Sequence, residues 1–187
     1  MNIVLGSASP RRSELLRQMG FEFRIAIATC SEEFEESNTP EQIVISIAQQ
    51  KANALQMDIQ ANELLICADT IVYLENQVIG KPVDEQDAMR LLHQLSGKKH
   101  DVYTGVVLTH NGISSSFSVQ TAVHFRTLTS EEIAHYVSNY QPLDKAGSYG
   151  IQDWIGFIGV EKIEGSYTNV MGLPTQELYL ALQEFKS

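Results

Sequence analysis

The sequence is poor in cysteine and contains no long apolar run. Its 187 residues include two cysteines, Cys30 and Cys67, which lie in apolar stretches without a CxxC spacing. This pattern favours two reduced, packed thiols over a disulfide framework or a zinc site. No apolar run approaches the roughly 18 residues that a membrane-spanning helix needs. The sequence therefore predicts no membrane partner.

Positive charge is also in the minority. The 13 lysines and arginines face 23 aspartates and glutamates, which gives a formal net charge of −10 at pH 7. Such a balance argues against nucleic acid as a partner, and it requires any anionic ligand to be held by a local group of cations. The first residues lack the basic segment and long apolar segment of a secretory signal peptide, so we expect a cytoplasmic protein.

The patterns that are present predict a mixed α/β fold. Strands are predicted at residues 2–5, 21–28, 63–74, 77–79, 99–109 and 114–125. Helices are predicted at residues 10–19, 40–57, 83–95, 130–137 and 173–185. The glycine-rich stretch 144–172 predicts loops and a further hairpin. Helices and strands alternate early and hairpins follow, so we expect one domain, 1–187, with two lobes and a mixed sheet flanked by helices.

The stretch SASPRR, residues 7–12, combines a helix start with two cations. Ser9 fits the N-cap and Pro10 the first helical position. Arg11 and Arg12 then fall in the first turn, where the partial positive charge of the helix N-terminus disfavours cations. Either both arginines are solvated, or a phosphate binds at the helix start. In the second case we expect Arg12 to destabilise the protein without ligand.

An acidic residue interrupts the apolar run LLICADTIVYL. An ionised Asp69 is costly to bury there unless it has a metal, a cation or a hydrogen-bond donor. It is therefore a candidate catalytic carboxylate, and the alternative is a structural acid bonded to backbone donors. Lys81 follows twelve residues later. The intervening hairpin can bring Lys81 back towards Asp69, where it would hold phosphate or lower the pKa of an acid.

Two further segments carry candidate ligands. The run SEEFEES contains four glutamates, namely Glu32, Glu33, Glu35 and Glu36. It is either a solvated loop or a source of carboxylate for Mg²⁺, which binds one or two carboxylates together with substrate phosphates. The segment DKAGSYGIQ ends in Gln152, whose amide offers a donor and an acceptor. It is either a structural turn or a ligand contact.

Taken together, these stretches resemble the Maf family of nucleoside triphosphate pyrophosphatases. The matching segments are LGSASPRRSELL, ICADTIVYLENQVIGKP, LSGKKHDVYTGV, DKAGSYGIQ and SYTNVMGLP, which cover nearly the whole chain. The resemblance implies the α/β fold of inosine triphosphate pyrophosphatases, an elongated mixed sheet in two lobes around a central cleft. It also implies hydrolysis of a nucleoside triphosphate to the monophosphate and pyrophosphate with a divalent cation, Mg²⁺ or Mn²⁺.

The same resemblance implies roles for individual residues. Asp69 matches the family's proton acceptor and would also bind the metal. Glu32 is the best match to the family's loop carboxylate, although Glu33 is adjacent. The matching phosphate-binding positions are Ser7, Arg12, Lys51 and Lys81.

Base preference is implied by the GIQ that follows DKAGSY. This pattern resembles the branch that acts on dTTP and UTP, with Arg11, Thr70 and Gln152 at the specificity positions. The Gln152 amide can match the N3–H and carbonyl of uracil or thymine, but a flipped amide can match cytosine as well. Asp153 departs from many relatives, which carry glycine directly after the glutamine.

Other functions stay open from the sequence. A non-catalytic nucleotide-binding regulator of cell division would keep the phosphate-binding residues but needs no carboxylate at Asp69. A related pyrophosphatase selective for 7-methyl-GTP or CTP is a second alternative, for which GIQ would be unexpected. The resemblance further implies a homodimer, a nucleoside triphosphate as partner, and a role in clearing non-standard nucleotides.

Overall fold

Seven strands form one mixed sheet in the computed structural model, which describes residues 2–35 and 37–185. The strands are β1 (Asn2–Leu5), β2 (Phe23–Ile25), β3 (Glu63–Leu74), β4 (Gln77–Ile79), β5 (Lys99–His110), β6 (Ile113–Phe125) and β7 (Val160–Glu164). Their order is β2-β1-β3-β5-β6-β7, and β4 pairs with β3. Strand β1 is parallel to β2 and β3, whereas β4 is antiparallel to β3 and β7 to β6. The predicted mixed α/β sheet is confirmed.

Helices alternate with these strands. They are α1 (Pro10–Gln18), α2 (Pro40–Leu55), α3 (Glu85–Leu95), α4 (Ser130–Tyr140), α5 (Trp154–Gly159), α6 (Tyr167–Met171) and α7 (Thr175–Glu184). Helix α1 starts as predicted, because the Ser9 hydroxyl accepts a hydrogen bond from the backbone N–H of Arg12 at 3.4 Å. Thr39 and Thr129 form capping boxes at the starts of α2 and α4. Within the described ranges, no helix is both long and apolar enough to cross a bilayer.

Local turn chemistry produces the two hairpins. Glu75 and Asn76 have φ values of 50° and 65°, and Asn111 and Gly112 have 49° and 75°. Positive φ at both central residues is the type I′ turn, whose twist matches that of the flanking strands. Both predicted hairpins, β3–β4 and β5–β6, are therefore confirmed.

The segment 144–172 differs from its prediction. It contains a 3₁₀ turn, helices α5 and α6, and strand β7. The predicted hairpin is wrong, because β7 pairs with β6, where Ala122 lies opposite Glu164. A partner about forty residues away leaves no local signal in the sequence. The strand predicted at 21–28 is likewise shorter, because β1 ends at Leu5, opposite Ile25.

The chain divides into two compact units. The first comprises Met1–Thr70, Thr104–Val119 and Gly172–Ser187, as far as these ranges are described. The second comprises Ile71–Tyr103 and Gln120–Met171. The expectation of a single domain over residues 1–187 stays a prediction.

Each unit has its own apolar core. In the first unit, Val4 of β1 and Ala48 of α2 pack in one cluster with Cys67. In the second, side chains of α3, α4, α5 and β6 belong to another cluster, which includes Leu92, Tyr136, Ile155 and Val123. Burial excludes water from both clusters and supplies the main stabilising term of the fold.

Cys67 lies directly beneath the loop that follows β1. A Cβ added to Gly6 would lie 2.3 Å from Cys67 Sγ, so this close approach requires glycine. Both cysteines are free thiols, and burial raises the pKa of the Cys67 thiol to about 12. The predicted reduced cysteines are thus confirmed. Cys67 packs as a small apolar side chain against Gly6, the residue that precedes SASPRR.

Candidate active site

Lys51, on α2, joins two carboxylates. Its Nζ lies 2.7 Å from Asp69 Oδ1 on β3 and 3.1 Å from Glu32 Oε1 in the loop before α2. The side chains of Lys51 and Asp69 are 13% and 12% exposed, whereas that of Glu32 is 48% exposed. A carboxylate that is this well buried needs a charged partner, and Lys51 supplies it. We call these three residues the Lys51 cluster.

The Arg12 guanidinium is held by three acceptors within the first unit. Its Nε donates to the Gly172 carbonyl at 2.7 Å, its Nη1 to Ser7 Oγ at 3.2 Å and its Nη2 to Thr70 Oγ1 at 3.0 Å. Burial lowers the pKa of Arg12 from its ordinary value, and the negative charge of Asp69 acts in the opposite direction. Arg12 therefore ties the loop after β1 to β3 and to the segment before α7.

These contacts answer the question that SASPRR raises. Arg12 is not simply solvated, because three of the five N–H groups of its guanidinium bond to the protein. The expectation that Arg12 destabilises the protein without ligand stays a prediction, and these three hydrogen bonds argue against it, since hydrogen bonds to a charged group are stabilising. Two of its N–H groups have no partner among the described residues and are available to a ligand.

Two residues of this network have no predicted role. Thr104, on β5, is fully buried, and its hydroxyl pairs with that of Thr70 at 2.9 Å. Gly172 contributes its carbonyl to Arg12 and has a φ of 110°. Both lie in segments that carry the family resemblance, LSGKKHDVYTGV and SYTNVMGLP, but the sequence pattern assigns them no contact. The Ser7 hydroxyl also accepts from the backbone N–H of Ser9 at 3.2 Å.

The acidic loop places one glutamate at the cluster. Glu32 contacts Lys51, whereas Glu33 uses its backbone carbonyl to accept a hydrogen bond from Gln50 Nε2 at 2.6 Å. Glu36, which the acidic run also offers, lies outside the described residues. Glu32 has a φ of 54°, a left-handed conformation that turns the chain at this point.

The Lys51 cluster contains two carboxylates that could bind a metal ion, those of Glu32 and Asp69. Residues 2–35 and 37–185 contain no group of three or more His, Cys, Asp or Glu side chains arranged to hold a metal ion. Glu32 and Asp69 nevertheless converge on the same lysine nitrogen. Mg²⁺ commonly takes one or two carboxylates from a protein and its other ligands from substrate phosphates and water. The donor set of the Lys51 cluster fits that pattern.

Lys81 and Gln152 lie in the second unit. The Gly80 carbonyl accepts a hydrogen bond from Gly147 N–H at 3.0 Å, so the residue before Lys81 is tied to the 3₁₀ turn that precedes Gln152. Lys81 itself is exposed. Arg11 lies in the first turn of α1, in the first unit. The proximity of Lys81 to Asp69 stays a prediction.

Gln152 stands between two residues that contact the same tyrosine. Tyr136 Oη accepts from Gly150 N–H at 3.1 Å and donates to Asp153 Oδ2 at 2.7 Å. Lys145 Nζ lies 3.8 Å from the same Asp153 oxygen. Gln152 Oε1 is buried and has no hydrogen-bond partner within the described part of the chain. Asp153, the departure from many relatives, thus has a structural partner here.

Comparison with known proteins assigns the chain to a family. The family model of the Maf-like protein matches residues 2–185. The chain belongs to the Maf family. Among curated relatives of this Maf protein, the dTTP/UTP pyrophosphatase of Bacteroides fragilis is 50% identical over 183 residues, which is 97% of this chain and 95% of the relative. That of Porphyromonas gingivalis is 44% identical over 186 residues, 98% and 94% of the two chains.

A solved structure shares the fold of this Maf protein. The Staphylococcus aureus Ham1 protein aligns with it over 100% of both chains, with a TM-score of 0.52 and 13% sequence identity. At this identity the likeness concerns the fold alone. The predicted family is confirmed by the match over residues 2–185, and the predicted fold class by the sheet and its flanking helices.

Proposed function

We propose that this Maf protein is a nucleoside triphosphate pyrophosphatase that hydrolyses dTTP and UTP to the nucleoside monophosphate and pyrophosphate. The observation that carries the proposal is the Lys51 cluster, in which Glu32 and Asp69 converge on one lysine. It occurs in a chain 50% identical to a dTTP/UTP pyrophosphatase over nearly its whole length. A non-catalytic regulator of cell division would not need a buried, paired carboxylate at this position.

Asp69 is the general base of the proposed reaction. Its carboxylate accepts a proton from a water molecule whose oxygen attacks the α-phosphorus, and the bond to the bridging oxygen breaks as pyrophosphate leaves. In the protein without ligand, Lys51 Nζ lies 2.7 Å from Asp69 Oδ1 and balances the charge of this carboxylate. The low exposure of both side chains keeps bulk water from competing for the carboxylate.

Glu32 and Asp69 are the residues that would hold a divalent cation, Mg²⁺ or Mn²⁺. Such an ion neutralises the triphosphate and the charge that develops in the transition state. Lys51 is a compact charge on a flexible stem, so its ammonium can turn from the two carboxylates to a phosphate oxygen. The two carboxylates would then be neutralised by Lys51 in the protein without ligand and by the divalent cation in the enzyme with substrate bound.

Phosphate binding is proposed for Ser7, Arg12, Lys51 and Lys81. The two N–H groups of Arg12 that no described residue accepts are donors that suit a phosphate. Gln152 would contact the base, because its buried Oε1 lacks a donor in the described protein. Arg11 and Thr70 stay predicted specificity residues.

The proposed function is tested by pyrophosphate release over a panel of dTTP, UTP, CTP, ATP and 7-methyl-GTP, with Mg²⁺ or Mn²⁺ added and with both removed by chelation. We expect turnover that requires the metal and is fastest with dTTP and UTP. Nucleotide binding without turnover on any substrate would favour the regulator instead. Fastest turnover with 7-methyl-GTP or CTP would favour the related pyrophosphatase.

The setting of the enzyme is part of the same proposal. We propose a cytoplasmic homodimer that acts on free nucleotides, has neither nucleic acid nor membrane as partner, and clears non-standard nucleotides. The net charge of −10 supports the absence of a nucleic-acid partner. Light scattering of the purified protein measures the dimer, and retention on immobilised DNA or RNA would contradict the nucleotide-only partner.

A further inference from the structure

The tyrosine Tyr136 contacts residues on both sides of Gln152. Tyr136, on α4, is fully buried and its ring stacks on that of Tyr140 with centroids 5.1 Å apart. Its hydroxyl bonds to the Gly150 N–H on one side of Gln152 and to the Asp153 carboxylate on the other. The buried side chain of Tyr136 therefore contacts both ends of the short segment that contains Gln152. We call residues 150–153 the Gln152 segment.

The Gln152 amide is folded against this segment. A Cβ added to Gly150 would lie 2.5 Å from Asp153 Oδ2 and 2.9 Å from Gln152 Nε2. A side chain at position 150 would therefore displace the ends of the Asp153 and Gln152 side chains, which cross the space that its Cβ would occupy. The amide nitrogen of Gln152 faces Gly150, and the amide oxygen is left as a buried acceptor without a partner. Leaving a buried acceptor unpaired costs free energy, which a ligand donor would recover.

Orientation of this amide decides which pyrimidine it matches. Uracil and thymine present an N3–H donor beside a carbonyl acceptor, whereas cytosine presents an unprotonated N3 beside an amino donor. A free glutamine amide can turn over and match either pattern, because its oxygen and nitrogen are nearly the same size. An amide held in one orientation offers its acceptor at one place and matches one pattern.

We propose that Tyr136 and Asp153 are positioning residues that hold the Gln152 amide in the orientation for uracil and thymine and thereby exclude cytosine. This inference rests on the proposed function and extends it, since a Gln152 amide that is free to turn over matches cytosine as well as uracil. Tyr136 fixes the backbone before Gln152 through Gly150 and the chain after it through Asp153. Lys145 Nζ lies 3.8 Å from the Asp153 oxygen that accepts from Tyr136.

The test is the ratio of kcat/KM for UTP to that for CTP in wild type and in Tyr136→Phe. Loss of the hydroxyl removes one hydrogen bond at Gly150 and one at Asp153, while the backbone bond from Asp153 N–H to the Gly150 carbonyl remains. The ratio should fall about tenfold, the effect of one misplaced hydrogen bond. Most of the change should appear in KM, because the base is contacted equally in the ground and transition states. The ratio is insensitive to a general loss of folded enzyme.

Matched variants separate positioning from packing. Tyr149→Phe removes another buried tyrosine hydroxyl of the same unit, one that contacts His100 at 2.8 Å, and should leave the ratio within about twofold. Asp153→Asn keeps an oxygen acceptor for Tyr136 and should also keep the ratio. Asp153→Ala removes the acceptor and should lower the ratio as Tyr136→Phe does.

The outcomes distinguish the inference from the function beneath it. Equal kcat/KM for UTP and CTP in wild type would contradict the base preference of the proposed function. If Tyr136→Phe and Asp153→Ala both retain the wild-type preference for UTP over CTP, Tyr136 and Asp153 do not position the Gln152 amide, and the inference is overturned. If Tyr136→Phe does not fold, Asp153→Ala alone decides, with the affinities for non-hydrolysable UTP and CTP analogues as the second measurement.

Discussion

The Lys51 cluster and the Gln152 segment solve the problem of burying polar groups in opposite ways. In the first, every charged group has a partner, and Lys51 contacts both Glu32 and Asp69. In the second, the neutral Gln152 amide keeps an unpaired acceptor while its neighbours are held by Tyr136. An unpaired buried charge costs far more than an unpaired neutral acceptor. A neutral amide can therefore keep an unsatisfied hydrogen-bond acceptor until a ligand binds, whereas a buried carboxylate needs a partner in the protein without ligand.

The largest expected effect tests the charged side of this comparison. Asp69→Asn keeps the size of the side chain and removes the base, so kcat should fall about 10²–10⁴-fold while the affinity for dTTP changes little. Steady-state kinetics and calorimetric titration measure the two quantities. Asp58→Asn, which alters an exposed acid of the same unit, is the control and should turn over normally. Turnover of Asp69→Asn within about threefold of wild type would remove Asp69 from the role of base.

Arg12 tests whether the partnered charges also stabilise the fold. Arg12→Ala removes three hydrogen bonds to Gly172, Ser7 and Thr70, so the free energy of unfolding should fall by about 2 kcal/mol or more. Urea unfolding without ligand measures it. Arg17→Ala removes an arginine of the same helix that is 59% exposed, and should cost less than about 0.5 kcal/mol. Equal stability of the two variants would mean that the Arg12 contacts are not stabilising.

Lys51 tests the exchange between ammonium and metal. In Lys51→Met the positive charge between Glu32 and Asp69 is gone, so the two carboxylates should bind Mn²⁺ without nucleotide at least about tenfold more tightly than in wild type. Electron paramagnetic resonance of free Mn²⁺ measures this binding directly and does not depend on turnover. Adding Glu32→Gln to Lys51→Met should abolish the gain. A gain that survives this second substitution would place the ion elsewhere.

The smallest expected effect concerns a buried histidine of the second unit. Burial lowers the pKa of His100 to about 3, whereas the unfolded value is about 6.5. The unfolded chain therefore binds a proton below pH 6.5 that the folded protein does not take up, and stability falls as the pH falls through that range. The loss should be about 1 kcal/mol between pH 6.5 and 5.5.

His100→Gln isolates this contribution. The variant lacks the titrating group, so its free energy of unfolding should change less between pH 6.5 and 5.5, whatever its stability at pH 7. Urea unfolding at several pH values compares the two slopes. The same slope in both proteins would show that His100 is not buried as a neutral ring.

Much of the fold follows from short patterns in the sequence. Ser9 and Pro10 mark the start of α1, and Asn111-Gly112 marks the β5–β6 turn, because caps and turns are made by residues within four positions of one another. Asp69 stands out as a carboxylate in an apolar strand. The partners of these residues are less visible, since neither Thr104 nor Tyr136 breaks any local pattern.

What the sequence by itself determined is the family and the type of most local elements, and it named the candidate catalytic and binding side chains. Only the tertiary structure decided which of them touch. The bond of Arg12 to Gly172 spans 160 residues, that of Thr70 to Thr104 spans 34, and that of Tyr136 to Asp153 spans 17. The pairing of β7 with β6 places Ala122 opposite Glu164, which lies about forty residues further along the chain. Such contacts depend on packing the whole core, where burial removes water as the competing partner, and no short stretch of sequence encodes that condition.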